Sequence, residues 1–169
     1  LLAWGAARDG FIVRDGSGLS RHDVITPETI VRVLDAMRRS PHFRLFYDAL
    51  PVGGVDGTIA NRMKGTPAQG NVHAKTGTLD MVRSLSGYVT TADGRLLLFS
   101  VLANHFTVPT REIERVQDTL AALLAGMPDE QERPLRPGPL RKRAGQRHQR
   151  HRAGPVIVCA VPDAILLGT

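Results

Sequence analysis

The sequence predicts a mixed α+β fold with amphipathic helices and an antiparallel hairpin, and three stretches carry that prediction. Residues 27–39 and 111–124 repeat apolar side chains at helical spacing. Between them, residues 86–91 and 95–103 form a hairpin pattern around Ala92-Asp93-Gly94. The run Leu96-Leu97-Leu98-Phe99-Ser100-Val101-Leu102 is too apolar for a strand with one face in water, so it requires cover on both faces. A length of 169 residues allows one domain with a real core, and 42% hydrophobic residues exclude a disordered chain.

In chain order, residues 1–7 read as the end of a helix with Trp4 as a packing residue. Phe11-Ile12-Val13 is a short strand closed by the turn Asp15-Gly16-Ser17-Gly18. Ser17 and Ser20 are turn formers rather than nucleophiles, because neither has a base at an activating spacing. Thr26-Pro27-Glu28 opens a helix with a hydroxyl cap, a proline in the first turn and an acidic residue behind it. Ile30, Val31, Leu34 and Met37 share its buried face, and the helix ends before Ser40-Pro41. Phe43, Leu45, Phe46 and Tyr47 follow as packing residues. Residues 51–58 are a glycine-rich loop in which Asp56 caps a turn instead of serving as a catalytic carboxylate. A short helix over 58–63 and a strand over 72–75 come next. In the last helix, after a cap at Thr110, the residues Ile113, Val116, Leu120, Leu123 and Leu124 line one side.

The formal net charge of +6 is uneven: residues 1–127 hold 14 Lys/Arg against 12 Asp/Glu, and residues 128–169 hold 8 against 4. Pro134, Pro137, Pro139 and Pro155, with Leu140-Arg141-Lys142-Arg143 and the basic stretch 147–152, cannot build a core. The chain therefore divides into a folded part, 1–126, and a basic tail, 127–169, expected to be disordered. A nucleic-acid arm is the rival reading of that tail, and the lack of interleaved aromatics argues against it. His148 and His151 lack the carboxylate and third ligand that a metal site needs. Residues 156–167 are apolar but broken by Pro162 and Asp163, and the sequence supports no assignment there. The single cysteine, Cys159, excludes an internal disulfide. No apolar run reaches the roughly 18 residues of a membrane-spanning helix.

The stretch with chemistry in it is Asn71-Val72-His73-Ala74-Lys75-Thr76-Gly77-Thr78-Leu79. A Lys ammonium with adjacent hydroxyls can bind a carboxylate, and glycine leaves a strand bare where a peptide or lactam lies against it. The bland alternative is a strand with a solvated lysine followed by a turn. The neighbouring motifs decide between them. Asp15-Gly16-Ser17-Gly18-Leu19-Ser20-Arg21, Ile25-Thr26-Pro27, residues 50–59 with Arg62, and Ser86-Gly87-Tyr88-Val89 stand around the triplet in a fixed order. Together they resemble the C-terminal part of the D-alanyl-D-alanine carboxypeptidase/endopeptidase family, the low-molecular-mass class C penicillin-binding proteins of the DacB type. The likeness covers roughly residues 1–125.

This resemblance implies the penicillin-binding-protein/β-lactamase-like serine transpeptidase fold. That fold is a five-stranded antiparallel sheet with helices, of which the chain would supply the third to fifth strands and the C-terminal helix. It implies a serine-type carboxypeptidase acting on peptidoglycan stem peptides in a periplasmic or other extracytoplasmic location, acylated by β-lactams, with no cofactor and no metal. Lys75 would bind and polarise the substrate carboxylate, Thr76 and Thr78 would bond it through their hydroxyls, and Gly77 would make room for it. The backbone N–H of Thr78 would form half of the oxyanion hole. The family's Ser-x-x-Lys and Ser-x-Asn motifs are missing: Lys64, Lys75 and Lys142 follow Asn61, Val72 and Pro139 at the third position, and Asn61, Asn71 and Asn104 follow Ile59, Gln69 and Leu102 at the second. Asp23 stands where the family usually has Asn. The chain, opening on Leu1 in mid-domain, is expected to be a C-terminal piece of a longer protein, inactive by itself. A class A β-lactamase is the alternative acyl-serine enzyme, and the Asp-Gly-Ser-Gly-Leu-Ser stretch suits its compact fold less well. In the family an N-terminal strand pairs with the fifth strand, so residues 95–103 are expected to present an open, aggregation-prone edge.

Overall fold

The computed structural model describes residues 1–128 and the backbone of Val156–Pro162. Leu2–Trp4 is a single 3₁₀ turn closed by Gly5 at φ 83, not the end of an α-helix. Trp4 is 45% exposed, so the packing role expected of it is not filled. Strands β1 (Phe11–Ile12) and β2 (Val24–Ile25) pair antiparallel. The connection between them is tied by Asp23, whose Oδ1 accepts from the Arg14 amide at 2.6 Å.

Helix α1 (Pro27–Arg38) starts as its sequence dictates, with the Thr26 hydroxyl accepting from the Thr29 amide at 3.2 Å. It buries Val31 and Leu34, and the buried Asp35 carboxylate is held by Arg38 and Arg39 at 3.0 and 2.6 Å. In α2 (Phe43–Asp48) the spacing of Phe43, Phe46 and Tyr47 forms the inner face, and all three rings gather on Tyr88. Leu45 falls on the opposite side and is 74% exposed, contrary to its expected packing role. The helix expected over 58–63 is only a 3₁₀ turn, Gly57–Ile59.

The main sheet is built from β3 (His73–Leu79), β4 (Val82–Thr90), β5 (Leu96–Asn104) and β6 (Val156–Pro162), in that spatial order and antiparallel throughout. Before β6 comes α3 (Thr110–Ala125). Period-two alternation sends Ala74, Leu85, Val89, Leu97, Phe99 and Val101 to one face, where Ala121 and Ala125 of α3 cover them. Tyr88 and Leu98 point to the other face, against Val31 and Leu34 of α1. The apolar run of β5 thus has the two-sided cover its composition demands.

Three details of these elements differ from expectation. β3 does not stop at Lys75 but continues through Gly77 to Leu79, and Asp80-Met81 turns the chain, with Met81 at φ 53. Thr110 does not cap α3. It lies in the first turn, and its hydroxyl accepts from Arg83 Nη2 at 3.2 Å. The buried line of α3 runs through Ile113, Gln117, Ala121 and Ala125, leaving Val116 and Leu123 42% and 63% exposed. The cause is Gln117, drawn inward by Arg62 Nη2 at 3.0 Å, while Arg62 Nε also donates to Asp118 Oδ1 at 2.9 Å.

The edge of β5 is not open. β6 pairs along it from Ala103↔Val156 to Leu97↔Pro162, with Ser100 opposite Cys159. These seven residues, which form the strand, lie inside the segment expected to be a disordered tail. Residues 129–155 and 163–169, including the His148/His151 pair, lie outside the described residues. Among the described residues no helix is long and apolar enough to cross a membrane.

Candidate functional site

Among the described residues β3 is an edge strand, and the loop before it fastens only its first residues. The Gly53 amide donates to Val72 O and the Ala74 amide to Pro51 O, both at 2.9 Å. The Ala74 N–H therefore points away from β4. In an antiparallel ladder this direction alternates, so the backbone groups of Thr76 and Thr78 also face outward. No described backbone pairs with them. A sheet edge of this kind is a template for one more extended chain.

Side chains alternate as well. Lys75 and Gly77 share a face with His73, and Thr76 and Thr78 share the opposite face with Ala74. Lys75 is exposed, and its Nζ donates to the outward carbonyl of its neighbour Thr76 at 2.7 Å. Among the described residues it has no carboxylate partner. The Thr76 hydroxyl donates to the Thr58 hydroxyl at 2.9 Å, and the Thr78 side chain is exposed. All four residues singled out in the sequence thus lie together on one strand edge.

Gly77 meets a requirement the sequence did not disclose. A Cβ built there would stand 2.3 Å from Ser84 Oγ, because Gly77 and Ser84 are direct partners across β3 and β4. At the start of the strand, His73 stacks on Tyr47 with ring centroids 3.9 Å apart and Nδ1 3.3 Å from Tyr47 O. Burial pushes the phenols of Tyr47 and Tyr88 above the ordinary tyrosine range, and the Tyr88 hydroxyl donates to Leu34 O at 2.6 Å. Farther into the sheet the Ser86 and Ser100 hydroxyls are bonded at 2.9 Å.

The residues set aside as turn formers have turn geometry. Asp56 Oδ1 accepts from the Val52 amide at 2.7 Å. Ser17 donates to Asp15 at 2.7 Å, and that side-chain bond, with one from the Ser17 amide, holds the Asp15 carboxyl below its usual range. Ser20 Oγ accepts from the His22 amide at 3.3 Å. Thr58 and Ser84 are the site residues that sequence reasoning missed. The one available signal for Ser84 was a hairpin turn at Asp80-Met81, which would have set its register opposite Gly77.

A helix-flanked antiparallel sheet with an exposed lysine and two threonines on its edge strand is the serine transpeptidase fold of penicillin-binding proteins, as the match to a solved member of that class shows. The chain resembles penicillin binding protein 4 (dacB) from Haemophilus influenzae, with 31% sequence identity and a TM-score of 0.63 over 75% of this chain and 30% of that one. A predatory endopeptidase from Bdellovibrio bacteriovorus, at 22% identity and a TM-score of 0.57, shares the fold. The model of the D-Ala-D-Ala carboxypeptidase 3 (S13) family matches residues 1–127, and the chain belongs to that family. It is 42% identical over 130 residues to a D-alanyl-D-alanine carboxypeptidase of Actinomadura sp., and 38% identical over 98 residues to the D-alanyl-D-alanine carboxypeptidase DacB of Haemophilus influenzae. The matched part spans 24% and 20% of those two relatives, about a quarter of their length or less.

Proposed function

We propose that this chain is the substrate-binding strand portion of a serine-type D-alanyl-D-alanine carboxypeptidase/endopeptidase that hydrolyses peptidoglycan stem peptides outside the cytoplasm and is acylated by β-lactams. Residues 1–126 form its enzyme part and 127–169 its basic tail. The observation that carries the reading is the β3 edge, where, among the described residues, outward backbone groups of Thr76 and Thr78 have no strand partner and adjoin an ammonium with no carboxylate partner. An extended peptide ending in a carboxylate matches that edge: its backbone adds as a strand and its charge meets Lys75.

In this reading Lys75 leaves Thr76 O to bind and polarise the substrate carboxylate, and the Thr76 and Thr78 hydroxyls donate to it. Gly77 keeps the strand bare beneath the ligand. The Thr78 N–H is one donor of the oxyanion hole; the nucleophile's own amide would be the other. Loss of one such donor costs about 10²–10³ in rate, whereas loss of the nucleophile removes the acyl-enzyme route itself. The attacking serine and its base must come from residues this sequence does not hold.

The test is acylation by a fluorescent penicillin, read by denaturing electrophoresis. The 169-residue chain alone should stay unlabelled. The parent product, in which the chain is joined to a segment bearing Ser-x-x-Lys, should label. Lys75→Ala in that parent should slow acylation about 10- to 100-fold with melting unchanged, the size expected for a charge-assisted bond. A labelled band on the chain alone, or near-wild-type acylation in the variant, refutes the reading.

A further inference from the structure

We infer that Thr58 is a positioning residue for this site, holding the Thr76 hydroxyl in place and reversing the bond between them when a carboxylate takes the Thr76 proton. The inference rests on the reading of β3 as the carboxylate-binding strand. In the structure Thr76 Oγ1 donates to Thr58 Oγ1 at 2.9 Å, across 18 residues of sequence. A hydroxyl has one proton to donate and two lone pairs to accept with. While Thr76 donates to Thr58, it cannot donate to a ligand. In the geometry seen only Thr76 is placed to donate, so when a carboxylate binds, the exposed Thr58 side chain must turn until its hydroxyl donates to Thr76 Oγ1, which frees the Thr76 proton for the ligand. Such a chain of two hydroxyls polarises its terminal bond and fixes the rotamer that makes it.

The loop that carries Thr58 is held on every side. Asp56 Oδ1 takes the Val52 amide at 2.7 Å, and the Gly54 amide donates to Ile59 O at 3.0 Å. Gly57 sits at φ 56 with Pro51 so close that a Cβ there would lie 2.8 Å from the ring, so only glycine permits the turn. Ile59 is fully buried, and Arg62, three residues on, is locked to Asp118 and Gln117 of α3. Thr58 itself is exposed, so this anchoring does not serve to bury it. It fixes one hydroxyl beside the second residue of the Lys-Thr-Gly triplet.

The experiment uses the parent enzyme, with Thr58→Val, which keeps the shape and removes the hydroxyl, and Thr58→Ser, which keeps the hydroxyl. Substrates ending in a free carboxylate are compared with their C-terminal amides. Thr58→Val should lower kcat/KM for the carboxylate about 3- to 10-fold, the size of one hydroxyl bond, leave the amide nearly unchanged, and melt as wild type. Thr58→Ser should restore the preference. An equal loss on both substrates, or no loss in Thr58→Val, overturns the inference while Lys75→Ala still upholds the binding strand. A parent that Lys75→Ala does not impair overturns both.

Discussion

Replacing Gly77 by alanine separates the needs of the sheet from those of the ligand. The new Cβ would stand 2.3 Å from Ser84 Oγ but 3.6 Å from Ser84 Cβ, so a single oxygen makes the clash. Ser84 can relieve it only by leaving its rotamer or by forcing β3 from β4, and overpacking of this kind costs about 1–3 kcal/mol. Because the obstructing atom ends a short, half-buried side chain, about 1–2 kcal/mol is expected. Ser84→Ala removes that atom and should cost no more than about 0.5 kcal/mol by itself. The double variant should return to near wild-type stability, a coupling of about 1 kcal/mol in a double-mutant cycle followed by urea unfolding. Gly87→Ala supplies the contrast. Its Cβ would meet His73 O at 2.1 Å and Ala74 Cα at 2.6 Å, which are backbone atoms that no rotamer change removes. Its cost should reach at least about 3 kcal/mol, with no rescue by Ser84→Ala. Additive effects of Gly77→Ala and Ser84→Ala would refute the packing account of Gly77. On the proposed reading, in which Gly77 keeps the strand bare beneath the ligand, the stable double variant of the parent enzyme should still acylate slowly.

Two further outcomes follow from the same structure. Truncation after Pro128 removes β6 and bares the edge of β5, whose Leu96–Leu102 run carries no charge and no proline. The truncated chain should shift to high-mass species in size-exclusion chromatography with light scattering, and an unchanged monodisperse peak would refute the edge-cover account. The chain has two tyrosines, Tyr47 and Tyr88, and burial raises both phenol pKa values. The neutral phenol is then favoured in the folded state, so its stabilisation is complete below about pH 10 and is lost as pH rises beyond that. Absorbance at the tyrosinate band should show Tyr88 ionising only as the chain unfolds in alkali. A full two-tyrosine step near pH 10 in a folded chain would contradict the burial.

What could be read in the sequence was whatever depends on neighbours along the chain. Thr26-Pro27 sets the start of α1 through a bond three residues long, and the composition of Leu96–Leu102 alone demands a doubly covered strand. What could not be read depends on distant partners. The inward face of α3 is shifted by Arg62, some 55 residues away, which draws in a glutamine that hydropathy would leave in water. Gly77 suggests a turn at the end of β3, whereas the actual turn uses Met81 in a left-handed conformation that sequence signals assign to Gly or Asn. With that register lost, Ser84 could not be placed opposite Gly77. The four residues proposed as the binding strand were suggested by family resemblance alone, since the triplet by itself fits a solvated strand equally well. Thr58 was not, because only the folded loop brings it to Thr76.

The outer sides of β3 and β5 have opposite fates, and their difference is physical. On the outer side of β5, β6 takes the backbone along seven register pairs, Leu97 to Ala103. On β3 the loop takes the edge only as far as Ala74, and the Lys75 ammonium lies over the Thr76 carbonyl at 2.7 Å. A charge on an edge discourages pairing with another copy, because two such strands would bring their lysines together. It does not discourage a chain that ends in a carboxylate. The resemblance assigns the β5 edge to an N-terminal strand, and an edge accepts one strand, since each N–H and C=O makes one ladder bond. A parent that carries both strands must therefore leave one of them off the sheet. Truncation after Pro128 distinguishes the cases: it should bare an edge in the isolated chain and leave the parent monodisperse if the N-terminal strand holds β5 there. Aggregation of the truncated parent would mean that β6 keeps the edge even when its competitor is present.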